Sequence, residues 1–226
     1  MKEDRLERGG LDAQVADGGP GLLDLPQHGG ELGRHIIEPA VNHVALAELE
    51  ARMPDLIPLY RAAGLRTIGL ARTEAKLIAG GTDVLIRLHE GSKDFRSLVD
   101  INGLAALKEI TEEPDGTVRI GSLATFSEIM DSEVVNKRVP VIAEAAATVG
   151  GPQLRNTATM GGNICAGVPC ADSAGALLVL EADLEIRGID GKRVVPVMGF
   201  HLGPSRVALK QGDVLVVFRI RPENYK

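Results

Sequence analysis

Twice in this chain a glycine pair interrupts otherwise regular sequence: Gly80-Gly81 after the apolar run Leu77-Ile78-Ala79, and Gly161-Gly162 after Thr159-Met160. A glycine pair fixes where an element stops and lets the backbone approach groups that a side chain would hold away. At the first pair a strand ends, the chain turns, and Asp83 is placed to cap a helix through Leu85, Ile86 and Leu88 that Gly91 stops. Main-chain N–H groups at such a helix start suit an anion such as a pyrophosphate, with the Thr82 hydroxyl as a further donor. A plain tight turn has the same composition, and the segment alone does not separate the two readings. The second loop, Arg155-Asn156-Thr157-Ala158-Thr159-Met160-Gly161-Gly162-Asn163, again joins hydroxyls, a glycine pair and a polar side chain at a chain reversal. Neither loop is G-x-G-x-x-G, and no G-x-x-x-x-G-K-[ST] occurs, so a Rossmann site and a nucleotide P-loop are both unsupported. Two such loops in different units would clasp a diphosphate between them, which points to a dinucleotide held by main-chain donors. Spacing does not say which dinucleotide.

The grammar around the loops is that of an α/β chain. Residues 1–72 carry glycine clusters at Gly9-Gly10, Gly18-Gly19 and Gly29-Gly30 with little apolar periodicity, which predicts a mobile segment over 1–35. Between 43 and 66 a short helix is predicted, interrupted by Pro54 and Pro58. From Thr73 the pattern reads strand–helix–strand to Ile101, then a hairpin from Leu107 to Gly121 around Pro114-Asp115-Gly116. Thr125-Phe126-Ser127-Glu128 is a capping box, and Pro140 opens a helix that runs to Val149. Loops fill 150–172, and a compact helix covers Ser173 to Ala182. A hairpin follows around Asp190-Gly191, and Val214 to Ile220 is a buried strand. The expected division is an atypical 1–72, a first unit over 73–111 and a second over 112–222.

Composition narrows the function. Hydrophobic residues are 44% and charged residues 25% of 226, enough to bury a core. A net charge of −6, with 3% aromatics and no Trp, argues against a nucleic-acid face. The start carries no signal peptide and no apolar run approaches a membrane span, which predicts a cytoplasmic protein without a membrane partner. Cys165 and Cys170 are too few for a disulfide framework or a complete metal site and read as small buried residues. The five histidines form no metal-binding pattern. Arg155 lies just before the second loop, where a phosphate contact and a surface salt bridge are equally open. No nucleophile–base–orienter set is present, as expected if a cofactor does the chemistry.

Leu77 to Val84, with Arg155 to Ile164, Ala171-Asp172-Ser173-Ala174, Pro196 to Pro204 and Gly212-Asp213-Val214-Leu215, resembles the FAD-binding (medium) subunit of the xanthine dehydrogenase family of molybdenum hydroxylases. The bacterial xanthine dehydrogenase flavin subunit is the most similar branch. The resemblance covers about residues 73–222. It implies an α+β fold of the vanillyl-alcohol-oxidase (PCMH) type, a small βαβ unit followed by a mixed antiparallel sheet with helices, with FAD between the two. It further implies that Leu77, Ile78, Ala79, Gly80, Gly81, Thr82, Asp83 and Val84, with Thr159, Met160, Gly161, Gly162 and Asn163, line the pyrophosphate, mainly through N–H groups. Asp172 matches a cofactor contact and Leu215 an apolar contact with the flavin or its linker. The implied partners are a large molybdenum-cofactor subunit and a small 2Fe-2S subunit, with NAD as electron acceptor. Related medium subunits serve carbon monoxide, aldehyde and nicotinate dehydrogenases and aryl-CoA reductases, and a non-catalytic assembly remnant is the alternative of another class. Residues 1–72 depart from the family's start, which a shifted reading frame upstream of Thr73 would explain. The family also continues past the position of Lys226, so the resemblance implies a fragment or a split gene product.

Overall fold

The computed structural model describes residues 75–91, 97–188 and 190–226. The expected mobile segment over 1–35 and the helix over 43–66 lie outside the described residues.

The first unit is strand–helix–strand, as its sequence grammar requires. Strand β1 (Ala75–Ile78) lies parallel to β2 (Ser97–Asp100), and α1 (Val84–His89) stands between them in the chain. Asp83 occupies the position before α1 but makes no side-chain cap hydrogen bond. Gly91 lies just past the helix with φ +82°, the left-handed conformation that ends a helix at little cost to glycine. A single 3-10 turn, Ala105–Leu107, leads into the second unit, so the strand expected from Leu107 begins only at Ile110.

The second unit is built on five strands in the order β3-β4-β9-β5-β6. Its strands are β3 (Ile110–Glu112), β4 (Val118–Gly121), β5 (Asp183–Gly188), β6 (Gly191–Pro196) and β9 (Val214–Ile220), all antiparallel to their neighbours. The division expected at 111/112 thus runs through one hairpin, since β3 and β4 pair from Ile110↔Ile120 to Glu112↔Val118. A small hairpin, β7 (His201–Gly203) with β8 (Arg206–Val207), precedes β9.

Helices α2 (Phe126–Asp131), α3 (Glu133–Arg138), α4 (Pro140–Thr148), α5 (Pro152–Arg155), α6 (Met160–Cys165) and α7 (Asp172–Val179) fill the stretch between β4 and β5. The 150–172 region, expected as loops, holds two of them. They are four and six residues long, too short to show a helical period in sequence. The capping box at the start of α2 is complete: the Thr125 hydroxyl accepts from the Glu128 N–H, and the Glu128 carboxylate accepts from the Thr125 N–H.

Two apolar clusters meet at β9. Phe126, Ile129, Ile142, Met160, Leu177, Leu184 and Phe218 belong to the larger one, between the helices and one face of the sheet. Ile101, Leu104, Leu107 and Leu123 pack on Val214, Val216 and Val217 in the other. A bulge makes this possible. Glu185 pairs with Val217 and Ile186 with Leu215, leaving Val216 as the extra residue of β9. Leu215 then joins the larger cluster, while Val216 and Val217 both join the smaller.

Candidate functional site

The two glycine loops touch. A Cβ on Gly80 would lie 1.9 Å from the Thr157 carbonyl oxygen, so absence of a side chain there is what lets the first loop rest on the second. Gly81 turns the chain with φ +72°. The second loop is strapped in turn to the segment after β4. Gly161 N–H donates to the Ser122 carbonyl at 2.8 Å, Met160 N–H to Ala124 at 3.1 Å, and Phe126 N–H to Ala158 at 3.2 Å. Gly161 is also a close approach, since its Cβ would stand 2.5 Å from the Ser122 oxygen.

Between the units this arrangement leaves a cleft of about 550 Å³, within the size range of small-molecule sites. Of the residues singled out in sequence, Leu77, Ala79, Gly80, Gly81, Thr82, Asp83, Val84, Thr159, Gly161, Gly162, Asn163, Asp172 and Leu215 line it. Ile78 and Met160 do not: both side chains are buried, Met160 completely. Ala158, named within the second loop, lines the cleft too, and sequence reading missed Ile101, Ser122, Leu123, Val149 and Leu154. Val149 and Leu154 lie upstream of the second loop's motif and carry none of their own.

The two loops contribute differently. Among the described residues, the amide N–H groups of Gly80, Gly81, Thr82, Asp83 and Val84 have no acceptor, and they form one row of main-chain donors. The second loop has no such row. Met160 and Gly161 donate as above, Gly162 donates to the Thr159 hydroxyl at 3.1 Å, and Asn163 to the Thr159 carbonyl at 3.0 Å, because these residues form the first turn of α6. What it offers instead is side chains. The Asn163 Oδ1 accepts from the Ser173 hydroxyl at 2.7 Å, which leaves its Nδ2 as a donor on the cleft lining. Arg155 is not on the cleft lining: its Nη1 donates to the carbonyls of Ala147, Val149 and Gly150 at 3.3, 3.0 and 2.7 Å, closing the end of α4.

Charge around the cleft is mixed, with Lys76, Arg87 and Lys210 set against Asp83, Asp172 and Asp213. Asp213 is a positioning group. Its Oδ2 accepts from Arg193 at 2.5 Å and from the Lys210 N–H at 2.6 Å, fixing the turn that leads into β9. Cys165 and Cys170 both line the cleft and both are free thiols. Burial pushes the Cys165 thiol up to about 12, against the opposing pull of Lys76, so it is a neutral apolar neighbour rather than a nucleophile at neutral pH. Cys170 is exposed, unlike the buried role expected for it.

Among the described residues, the unpaired amides of Gly80 to Val84 and the apolar side chains of Ile101, Leu123, Val214 and Leu215 line one cleft, which offers main-chain donors to an anionic group and apolar surface to a ring. Such is the class: a dinucleotide-cofactor cleft between two α+β units. The chain belongs to the family described as the FAD binding domain in molybdopterin dehydrogenase, which matches residues 58–222. It is 45% identical over 174 residues to the xanthine dehydrogenase FAD-binding subunit of Escherichia coli O157:H7, covering 76% of this chain and 60% of that one. It is 35% identical to the carbon monoxide dehydrogenase medium chain of Hydrogenophaga pseudoflava, over 68% of this chain and 53% of that one. Among solved structures, carbon monoxide dehydrogenase from H. pseudoflava superposes with a TM-score of 0.63, at 35% identity over 68% of this chain and 53% of that one. Quinoline 2-oxidoreductase from Pseudomonas putida 86 gives 0.66, at 26% identity over 74% and 56%. The chain thus spans about 60% of the length of the xanthine dehydrogenase subunit it matches. FAD is the cofactor that goes with this family, and the donor row and apolar side chains fit it. No described helix is long and apolar enough to cross a membrane.

Proposed function

We propose that this chain carries the flavin of a molybdenum hydroxylase, of the xanthine dehydrogenase kind, and relays electrons from iron–sulfur clusters to NAD. The observation that supports it most is that the amides of Gly80 to Val84, which have no acceptor among the described residues, belong to a cleft also lined by Ile101, Leu123, Val214 and Leu215. In this reading the row and the Asn163 Nδ2 hold the diphosphate, Leu215 and Leu123 lie against the ring, and Asp172 meets a polar group of the cofactor. The fold is then of the vanillyl-alcohol-oxidase type, its first unit the strand–helix–strand that ends with β2 and its second the sheet and helices that begin with β3. When bound, FAD would supply two-electron redox chemistry, in which two electrons and a proton are taken up before a hydride leaves. The residues of this chain hold it, turn one ring face to Leu123 and Leu215 and exclude water from it.

The partners in this reading are a large molybdenum-cofactor subunit and a small 2Fe-2S subunit, and the free thiols fit a reducing cytoplasm. The 35% identity to a carbon monoxide dehydrogenase medium chain supports a second reading, a medium subunit whose complex acts on another substrate. The test is the visible spectrum of the purified chain, with FAD released on denaturation and counted per polypeptide. Near-stoichiometric FAD bleached by NADH is the expected result. A folded, colourless chain that takes up no added FAD would overturn the reading.

A further inference from the structure

We infer that Ser122 is a further cofactor-binding residue, its hydroxyl bonding an oxygen of the sugar-alcohol chain that joins a flavin ring to its diphosphate. The inference rests on the flavin reading above and concerns a residue that no sequence motif marked.

Ser122 is 3% exposed and lies on the cleft lining, yet its Oγ has no hydrogen-bond partner among the described residues. Its main chain is fully engaged. The N–H donates to the Val216 carbonyl at 3.0 Å, and the carbonyl accepts from Gly161 at 2.8 Å. Buried hydroxyls are nearly always paired, because one left unmade costs the desolvation of the group. The other buried atoms in the same position, Arg119 Nε and one Glu185 oxygen, belong to residues off the cleft, and that Glu185 oxygen has Lys192 at 2.8 Å.

Position decides what the hydroxyl meets. The bulge at Val216 holds Ser122 from one side and Gly161 holds it from the other, so it stands at the junction between the second glycine pair and Leu123, both of which line the cleft. A Cβ on Gly161 would lie 2.7 Å from the Ser122 Cβ, so the glycine is what makes room for this side chain. In a flavin dinucleotide laid with its diphosphate on the glycine pairs and its ring on Leu123 and Leu215, the segment that crosses this junction is the polyhydroxylated linker. A lone hydroxyl is the matching partner for it.

Equilibrium titration of the full chain with FAD, FMN and ADP, wild type beside Ser122→Ala, tests this. The expected result is a loss of about threefold to tenfold in affinity for FAD and FMN, the effect of one neutral hydrogen bond. ADP, which lacks the linker, binds the variant as it binds wild type. The urea midpoint of the cofactor-free variant stays level or rises, since an unpaired hydroxyl has been removed. Unchanged FAD affinity overturns the inference, as does an equal loss for ADP, which would place the hydroxyl on the diphosphate. A lowered midpoint with unchanged affinity assigns Ser122 to the fold, through an internal water. A wild-type chain that binds no FAD removes the flavin reading itself, and this inference with it.

Discussion

Gly80 and Glu185 show how single residues set the geometry and the stability of this molecule. At Gly80 the space for a side chain is already taken by the Thr157 carbonyl. Gly80→Ala therefore pushes the loops apart, at a cost of about 1–3 kcal/mol as for other overpacked sites. A lowered urea midpoint together with lost FAD uptake is the expected outcome, and a variant that folds and binds like wild type would contradict the contact. Glu185 is a buried carboxylate in β5. Burial pushes its pKa up, but the bonds from Lys192 at 2.8 Å and Arg187 at 3.3 Å outweigh it and hold it below the ordinary 4.5. A group whose pKa is depressed on folding stabilises the protein above its unfolded pKa and loses that contribution as pH falls through the folded value. Urea midpoints measured from pH 6 downward should therefore fall for wild type from near pH 5 and fall less steeply for Glu185→Gln. Parallel curves would show that the pair contributes nothing to acid lability.

At the scale of elements, the capping box at α2 is the best-defined terminus in the structure, with both reciprocal bonds formed. Thr125→Ala should cost about 0.5–2 kcal/mol in urea unfolding. A loss of less than that range would mean the β-bridge from Thr125 to Thr159 holds the helix start without the cap. This box was legible in four residues, as were the β5–β6 turn at Asp190-Gly191 and the whole of β9, because each rests on local chemistry. Helices α5 and α6 were not, since fewer than two turns have no period to read. The bulge at Val216 was hidden for another reason. It arises from the pairing of β9 with β5, two strands apart in chain and invisible to any local window. The same holds for Ser122 and Leu123: their place on the cleft follows from Val216 and Gly161, not from their neighbours in sequence. The glycine pairs were readable as loops, but which of them would keep free amides depended on α6 forming over Met160–Cys165.

Across the whole molecule, the cleft exists because two units share one strand. Val214, Val216 and Val217 pack against the first unit, while Leu215, Phe218 and Ile220 pack under the helices. Neither cluster closes without β9, so the two units should unfold together. Far-UV circular dichroism and a fluorescent label on the exposed Cys170 are expected to report one coincident urea transition. Two separated transitions would show that the units hold themselves up independently. The shared strand also has a place in time. A ribosome delivers β9 last of the five sheet strands, about 130 residues after the first glycine loop. Until it emerges, the residues that Val214, Val216 and Val217 cover in one unit and those that Leu215, Phe218 and Ile220 cover in the other are left without their partners at the same time. The order of synthesis thus makes the closing of both units a single late event.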